Sequence, residues 1–194
     1  MTINNDQHYI TKVLEGDTNS FAFLVDKYKD MVYTLGMKVM KNREEAEEVS
    51  QDSFIKAFRS LHSFKGDSKF STWLYKIAYH NCMDRVKKNA RTYNTGTIDE
   101  VVENRIKATE DTMQTIERKE RAELMKECMR ELPEEERSIL WLFYYKELSL
   151  KEIIEVTSLS ETNLKVKLHR ARKKLLSIVQ NRVEPEMINH YGRK

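Results

Sequence analysis

Seven glycines and prolines in 194 residues, five and two, leave this chain few places to turn. Such scarcity, in a sequence whose charged fraction is 34%, predicts a mostly helical protein. The length suits one medium domain or two small ones. No apolar run approaches eighteen residues, and the opening "MTINNDQHYITK" has no signal-peptide hydrophobic region, so a cytoplasmic protein without membrane insertion is expected. Cys82 and Cys128 stand apart from any CxxC or Cys/His spacing and read as reduced, packed thiols. Without a Gly-rich phosphate loop, a metal cluster or a nucleophile–base motif, neither an enzyme nor a cofactor or metal is expected.

Apolar periodicity divides the chain. From Asp17 to Met40, Phe21, Leu24, Val25, Tyr28, Val32, Leu35 and Val39 recur at helical spacing. A second helix opens at Asn42 with Glu45 three residues on, a capping-box-like start, and carries Ala46, Val49, Ser53, Ala57 and Leu61 on one face. Gly66 and Asp67 then signal a loop. A third helix begins near Ser71 or Thr72, turns Leu74, Ile77, Ala78 and Cys82 inward, and is expected to end near Lys88. Residues 89–112 are polar and aperiodic, a linker whose extended reach of ~80 Å exceeds two turns of duplex DNA at ~34–36 Å each. Two lobes so joined can occupy well-separated sites.

The second lobe begins with a helix near Met113 to Arg130. Pro133 and the three Glu after it suit the first turn of the next helix, with Ile139, Leu140, Leu142, Phe143 and Leu148 as core. Ser149 with Glu152 forms a capping box, and Ser160 caps another helix after a tight turn. Two helices so joined, the second basic, match a helix-turn-helix. On that second helix Leu164, Leu168, Ala171 and Leu175 form the inward stripe. Lys165, Lys167, His169, Arg170, Arg172, Lys173 and Lys174 occupy the other faces. A helix of this kind enters a major groove. Lys165, Val166, His169 and Arg170 are placed to read bases, while Thr162, Asn163 and the N–H groups after Ser160 are placed to hold phosphates.

Charge is distributed unevenly. Residues 99–136 hold thirteen acids against seven bases, and residues 161–194 hold nine bases against three acids, so different parts of one chain are expected to meet different partners. The segment "FKGDSKFSTWLYKIAYHNCMDRVKK", residues 64–88, mixes Phe64, Phe70, Trp73, Tyr75 and Tyr79 with six Lys and Arg residues. Rings stack bases and lysines follow a phosphate chain, as a surface for single-stranded nucleic acid requires. Lys65, Gly66, Asp67, Ser68, Lys69, Phe70 and Ser71 form the loop best suited to it, whereas Trp73 and Tyr79 are candidates for core anchors.

Taken together, "AEEVSQDSF", "FKG", "FSTWLYKIA", "LP", "LSLKEI" and "HRARKKL", in this order, resemble the extracytoplasmic-function (ECF) group of bacterial RNA polymerase sigma factors. The resemblance implies an all-α protein of two small helical domains joined by a flexible linker. These are a three- or four-helix σ2 bundle (residues 1–90) and a σ4 helix-turn-helix (115–180), with 91–114 between them and a tail at 181–194. It also implies a dissociable initiation subunit that reads duplex at the −35 element and captures melted strand at −10. The loop named above, with His80, Asp84, Arg85 and Lys88, matches the −10 part. Ser160, Thr162, Asn163, Lys165, Val166, Lys167, His169 and Arg170 match the −35 part. Glu48, Gln51, Asp52 and Phe54 match the segment that grips the β′ clamp helices of core polymerase. The β flap and an anti-sigma factor are further partners implied. This chain departs from the family pattern at His80, where many relatives have Asn, and at Glu147 and Ser158, where Gly is common. An alternative reading of the same residues is a stand-alone helix-turn-helix regulator with an N-terminal helical interaction domain.

Overall fold

The computed structural model describes residues 5–40, 42–93 and 113–182. Among them eight α-helices run in order: α1 (Asn5–Leu14), α2 (Phe21–Met40), α3 (Arg43–Ser60), α4 (Phe70–Tyr93), α5 (Met113–Arg130), α6 (Glu134–Tyr144), α7 (Leu150–Thr157) and α8 (Glu161–Arg182). Two 3₁₀ turns, Thr18–Ser20 and Leu61–Ser63, lead into α2 and out of α3. Most of the expected linker and tail lies outside the described residues.

In the first lobe α2, α3 and α4 pack mutually. The expected stripe of α3 is the one buried: Ala46, Val49, Ser53, Ala57 and Leu61 are all 3% exposed or less. Gly36 of α2 lets the two backbones approach, since a Cβ there would sit 3.1 Å from the Ala46 carbonyl oxygen. Asn42 caps α3 by accepting from the Glu45 N–H at 3.2 Å, but the box is half-formed, because Glu45 Oε1 accepts from Asn89 Nδ2 on α4. The helix α1 was not expected from the sequence. It is fixed by Ile10 and Val13 in the core and by Asp6, which accepts from Lys27 Nζ and Tyr28 OH at 2.5 and 2.6 Å. Burial first, and then that carboxylate, push the Tyr28 phenol up to about 12.

In the second lobe Pro133 is the N-cap of α6, one position before the first turn, with Glu134, Glu135 and Glu136 in that turn. The capping box of α7 is complete: Ser149 Oγ accepts from the Glu152 N–H, and the Glu152 carboxylate accepts from the Ser149 N–H at 2.9 Å. Its carboxyl is accordingly held below the usual Glu range, first by the backbone bond and then by the Ser149 hydroxyl. Ser158 ends α7 in the left-handed region (φ 58°, ψ 20°), its N–H bonded to the Ile154 carbonyl at 2.8 Å. Glu147 also has positive φ, 52°. Both positions flagged as departures from glycine therefore carry the backbone geometry that glycine tolerates best.

The lobes are not separate in this structure. α4 packs along α7 and α2 against α6, and a continuous core runs through both, with Tyr75 and Trp141 meeting edge-on at 6.4 Å.

Candidate nucleic-acid interface

Three surfaces carry the residues singled out in the sequence. The first is the outer face of α8. With Leu164, Leu168 and Ala171 buried at 3% or less, helical geometry turns Thr162, Asn163, Lys165, Val166, His169 and Arg170 outward, and all six are exposed. Ser160 Oγ accepts from the Asn163 N–H at 3.3 Å, the expected cap. Lys165 reaches back one turn to Glu161 at 2.6 Å. Such an exposed pair is worth little and gives way readily to a phosphate. Lys167 sits differently: it turns toward α6 and pairs with Glu135 at 2.7 Å. Arg172 lies over the Phe143 and Tyr144 rings, 5.3 and 5.4 Å from their centroids.

The second surface is the loop 64–69 with the solvent side of α4. Lys65, Gly66, Asp67 and Lys69 are exposed and Ser68 half-buried, and Gly66 turns the chain with φ 77°. Phe70 departs from expectation. It is the first residue of α4, 2% exposed, packed among Tyr28, Phe64 and Trp73, so its ring presents no stacking face. The helix starts there because the Lys69 carbonyl accepts from the Thr72 and Trp73 N–H groups, which turns position 70 inward. Ser71 is half-buried. Tyr75 and Tyr79 are core, 5% and 3% exposed, with burial raising both phenols. Phe64 and Trp73 are the half-buried rings that remain at the loop.

Further along α4, Asp84, Arg85 and Lys88 line a cleft of about 200 Å³ with Val49, Asp52, Lys56 and Asn81. Asn81 stitches its floor, donating to Ser53 Oγ at 2.9 Å and accepting from Lys56. Arg85 crosses to Glu48 at 2.5 Å, joining a residue expected at DNA to one expected at protein. The guanidinium holds the Glu48 carboxyl below its usual range.

The third surface is the outer face of α3, where Glu48, Gln51 and Asp52 are exposed as expected. Phe54 is not on it. At 8% exposure it packs inward, because α3 is held between α2 and α4 and its apolar side is wide. Ile55 and Phe58, 48% and 39% exposed, supply that face instead. Their spacing from Gln51 and Asp52 by three to seven residues is the signal that could have shown it.

His80 stands apart from the other α4 candidates. It is half-buried, with Nε2 3.3 Å from Ser158 Oγ in the helix-turn-helix turn. Burial first and Lys76 second lower its pKa, with Lys87 adding to this and Asp84 opposing it.

A basic helix behind a capped helix and tight turn, packed on a second helical bundle with an acidic face, defines a two-lobed helix-turn-helix protein. The chain matches the sigma-70 region 2 family over residues 24–92 and the sigma-70 region 4 family over residues 122–175. It is 34% identical to the ECF RNA polymerase sigma factor SigW of Bacillus subtilis, over 86% of this chain and 92% of that protein. It is 31% identical to the RNA polymerase sigma-H factor of Pseudomonas aeruginosa, over 93% and 96%. The sigma factor RpoE of Bartonella quintana, solved in complex with the anti-sigma factor NepR, has the same fold. Its TM-score is 0.65 at 17% identity, covering 82% of this chain and 96% of that one. This chain belongs to the ECF group of the sigma-70 family of RNA polymerase sigma factors. Among the described residues no helix is long and apolar enough to cross a membrane.

Proposed function

We propose that this sigma factor directs core polymerase to promoters through the three surfaces above. The outer face of α8 reads −35 duplex, the loop 64–69 with the solvent side of α4 captures the melted −10 strand, and the outer face of α3 holds the β′ clamp helices. Residues 1–90 and 115–180 act as the two functional units, and the subunit contributes no chemistry of its own. The observation that carries the reading is the division of α8: Leu164, Leu168 and Ala171 fill the core while Thr162, Lys165, Val166, His169 and Arg170 project together. Bases are read by such a row, and phosphates by the cap and flanking cations. An acidic, partly apolar α3 face repels DNA and suits a basic protein surface. The β flap and an anti-sigma factor are the remaining partners of this reading. The alternative of a stand-alone regulator requires neither an exposed α3 face nor a basic loop before α4.

Two substitutions test it. Lys165→Ala or Arg170→Ala should weaken −35 duplex binding by ~1–3 kcal/mol where the residue contacts a base, and unchanged promoter choice counts against the reading. Asp52→Lys should abolish co-purification with core polymerase while circular dichroism stays native. Normal co-purification removes the clamp assignment.

A further inference from the structure

The cations of α8 are not equivalent. Asn163, Lys167, Arg170 and Lys174 follow one another by four, three and four residues, so they share one edge of the helix. Asn163 and Arg170 are exposed and border the reading row. Lys167, between them, turns back to α6 instead, its Nζ 2.7 Å from Glu135 Oε2, with 33% and 40% of the two side chains exposed. One repeat further on, Lys174 Nζ lies 4.0 Å from Glu136 Oε2, an oxygen buried without a hydrogen-bond partner among the described residues. The edge of α8 nearest to Arg170 is therefore matched by two acids of α6. Those acids are fixed in place. Both stand in the first turn of α6, where the helix dipole favours anions, and the next two residues, Arg137 and Ser138, are 3% and 0% exposed. Leu164 and Leu168 of α8 are buried as deeply, and α6 packs along α8, so the two helices hold the Glu135–Lys167 pair in register. Lys165 differs: its partner Glu161 belongs to the same helix, and both side chains are mostly exposed.

We infer that Glu135 sets the sequence-independent affinity of this chain for DNA: it holds and neutralises Lys167 beside the reading row, so that α8 meets phosphates with its remaining cations only. Glu135 touches no base and acts through Lys167, as a positioning residue. An ammonium that reaches a phosphate releases a counterion whatever the sequence. Bulk DNA, in turn, competes with promoters through the number of its sites. A lysine withheld at this edge lowers that competition, while Lys165, Val166, His169 and Arg170 stay free to read bases. Lys167 matches the −35 part of the family pattern by position, and in this chain α6 has taken it out of the DNA-facing set.

This inference rests on the duplex-reading assignment of α8, and its test separates the two. Binding of the full chain to a short duplex of scrambled sequence is followed by fluorescence anisotropy as potassium chloride is varied. Each cation freed for a phosphate steepens log K against log salt by about 0.9. Glu135→Gln should steepen the slope by that amount, an extra gain of roughly 3-fold in affinity on going from about 200 to 50 mM salt. Glu135→Gln with Lys167→Gln removes the pair without changing net charge and should return the slope to that of the unsubstituted chain. A slope that Glu135→Gln leaves unmoved, with only the thermal midpoint shifted, makes the pair a structural contact and overturns the inference. A double variant whose slope falls by about 0.9 overturns it too, since Lys167 would then already be on a phosphate. In transcription with core polymerase, Glu135→Gln should keep the start sites of the unsubstituted chain yet lose more transcript when scrambled duplex is added as competitor. Equal loss from both proteins overturns the effect on competition. No start sites from the unsubstituted chain strike the promoter assignment instead, and the slopes on scrambled duplex then decide the role of Glu135 alone.

Discussion

The left-handed residue between α7 and α8 gives a prediction whose sign is set chiefly by backbone geometry. Ser158 has φ 58° and ψ 20°, a conformation that costs an L-residue about 1–2 kcal/mol. Ser158→Gly removes that cost. Against it stand the greater freedom of glycine in the unfolded chain, about 0.5–1 kcal/mol, and the 3.3 Å contact with His80, exposed and worth a few tenths. The balance is a gain of roughly 0.5 kcal/mol, or about 1–2 °C in midpoint for a chain of this size. Ser158→Val, β-branched where φ is positive, should lose about 1 kcal/mol or more. Thermal melts followed by circular dichroism should therefore rank Gly above Ser above Val. Ser177, exposed within α8, is the control: Ser177→Gly should destabilise by about 0.5 kcal/mol. If Ser158→Gly lowers the midpoint as Ser177→Gly does, the left-handed turn is not part of the native chain.

Other outcomes follow from packing and capping. Gly36→Val should destabilise by about 2 kcal/mol in urea unfolding, because Ala46 backbone atoms lie 3.1 and 3.2 Å from where its Cβ would stand; an unchanged midpoint would mean that α2 and α3 are not so close. Arg137→Met, which strands carbonyls of Lys38, Val39, Arg130 and Leu132, should lose about 3 kcal/mol, and a loss under ~1 kcal/mol would refute a buried fork. Glu152 has a folded-state pKa below its unfolded value. Its capping contribution is therefore complete above the ordinary Glu value of ~4.3 and fades as pH falls through the lower folded value. Glu152→Gln should flatten that part of the acid side of the stability curve, and an unaltered curve argues against the ionised cap.

Local chemistry was readable in advance where it acts over one helical turn. Ser149 with Glu152, Ser160, the Leu164 stripe and the Ala46 stripe all follow from spacing and short-range hydrogen bonding, and the structure places them so. The two left-handed positions are legible as well, since Glu147 and Ser158 stand where the family pattern that the sequence resembles has Gly. Errors came where a helix has more than one packing partner. The family resemblance puts Phe54 on the outer face of α3 with Glu48, Gln51 and Asp52, whereas in the structure it is buried and Ile55 and Phe58 are the exposed apolar residues of that helix. Phe70 was placed on a loop because Gly66 and Asp67 mark a break, yet the Lys69 carbonyl already begins α4. The helix α1 was missed because its polar residues mask Ile10 and Val13, and its anchor, Asp6, acts through Lys27 and Tyr28 more than twenty residues away. Arg137 was beyond reach altogether: as one basic residue after three acids it reads as solvated, and its acceptors lie at Lys38 and Val39.

The most direct measurement is transcription in vitro with purified core polymerase on a library of genomic fragments, with and without this chain. The account predicts a small set of discrete start sites that appear only when the chain is added, disappear with Asp52→Lys and shift or weaken with Arg170→Ala. Start sites identical with and without it, or none at all from properly folded protein, would contradict it.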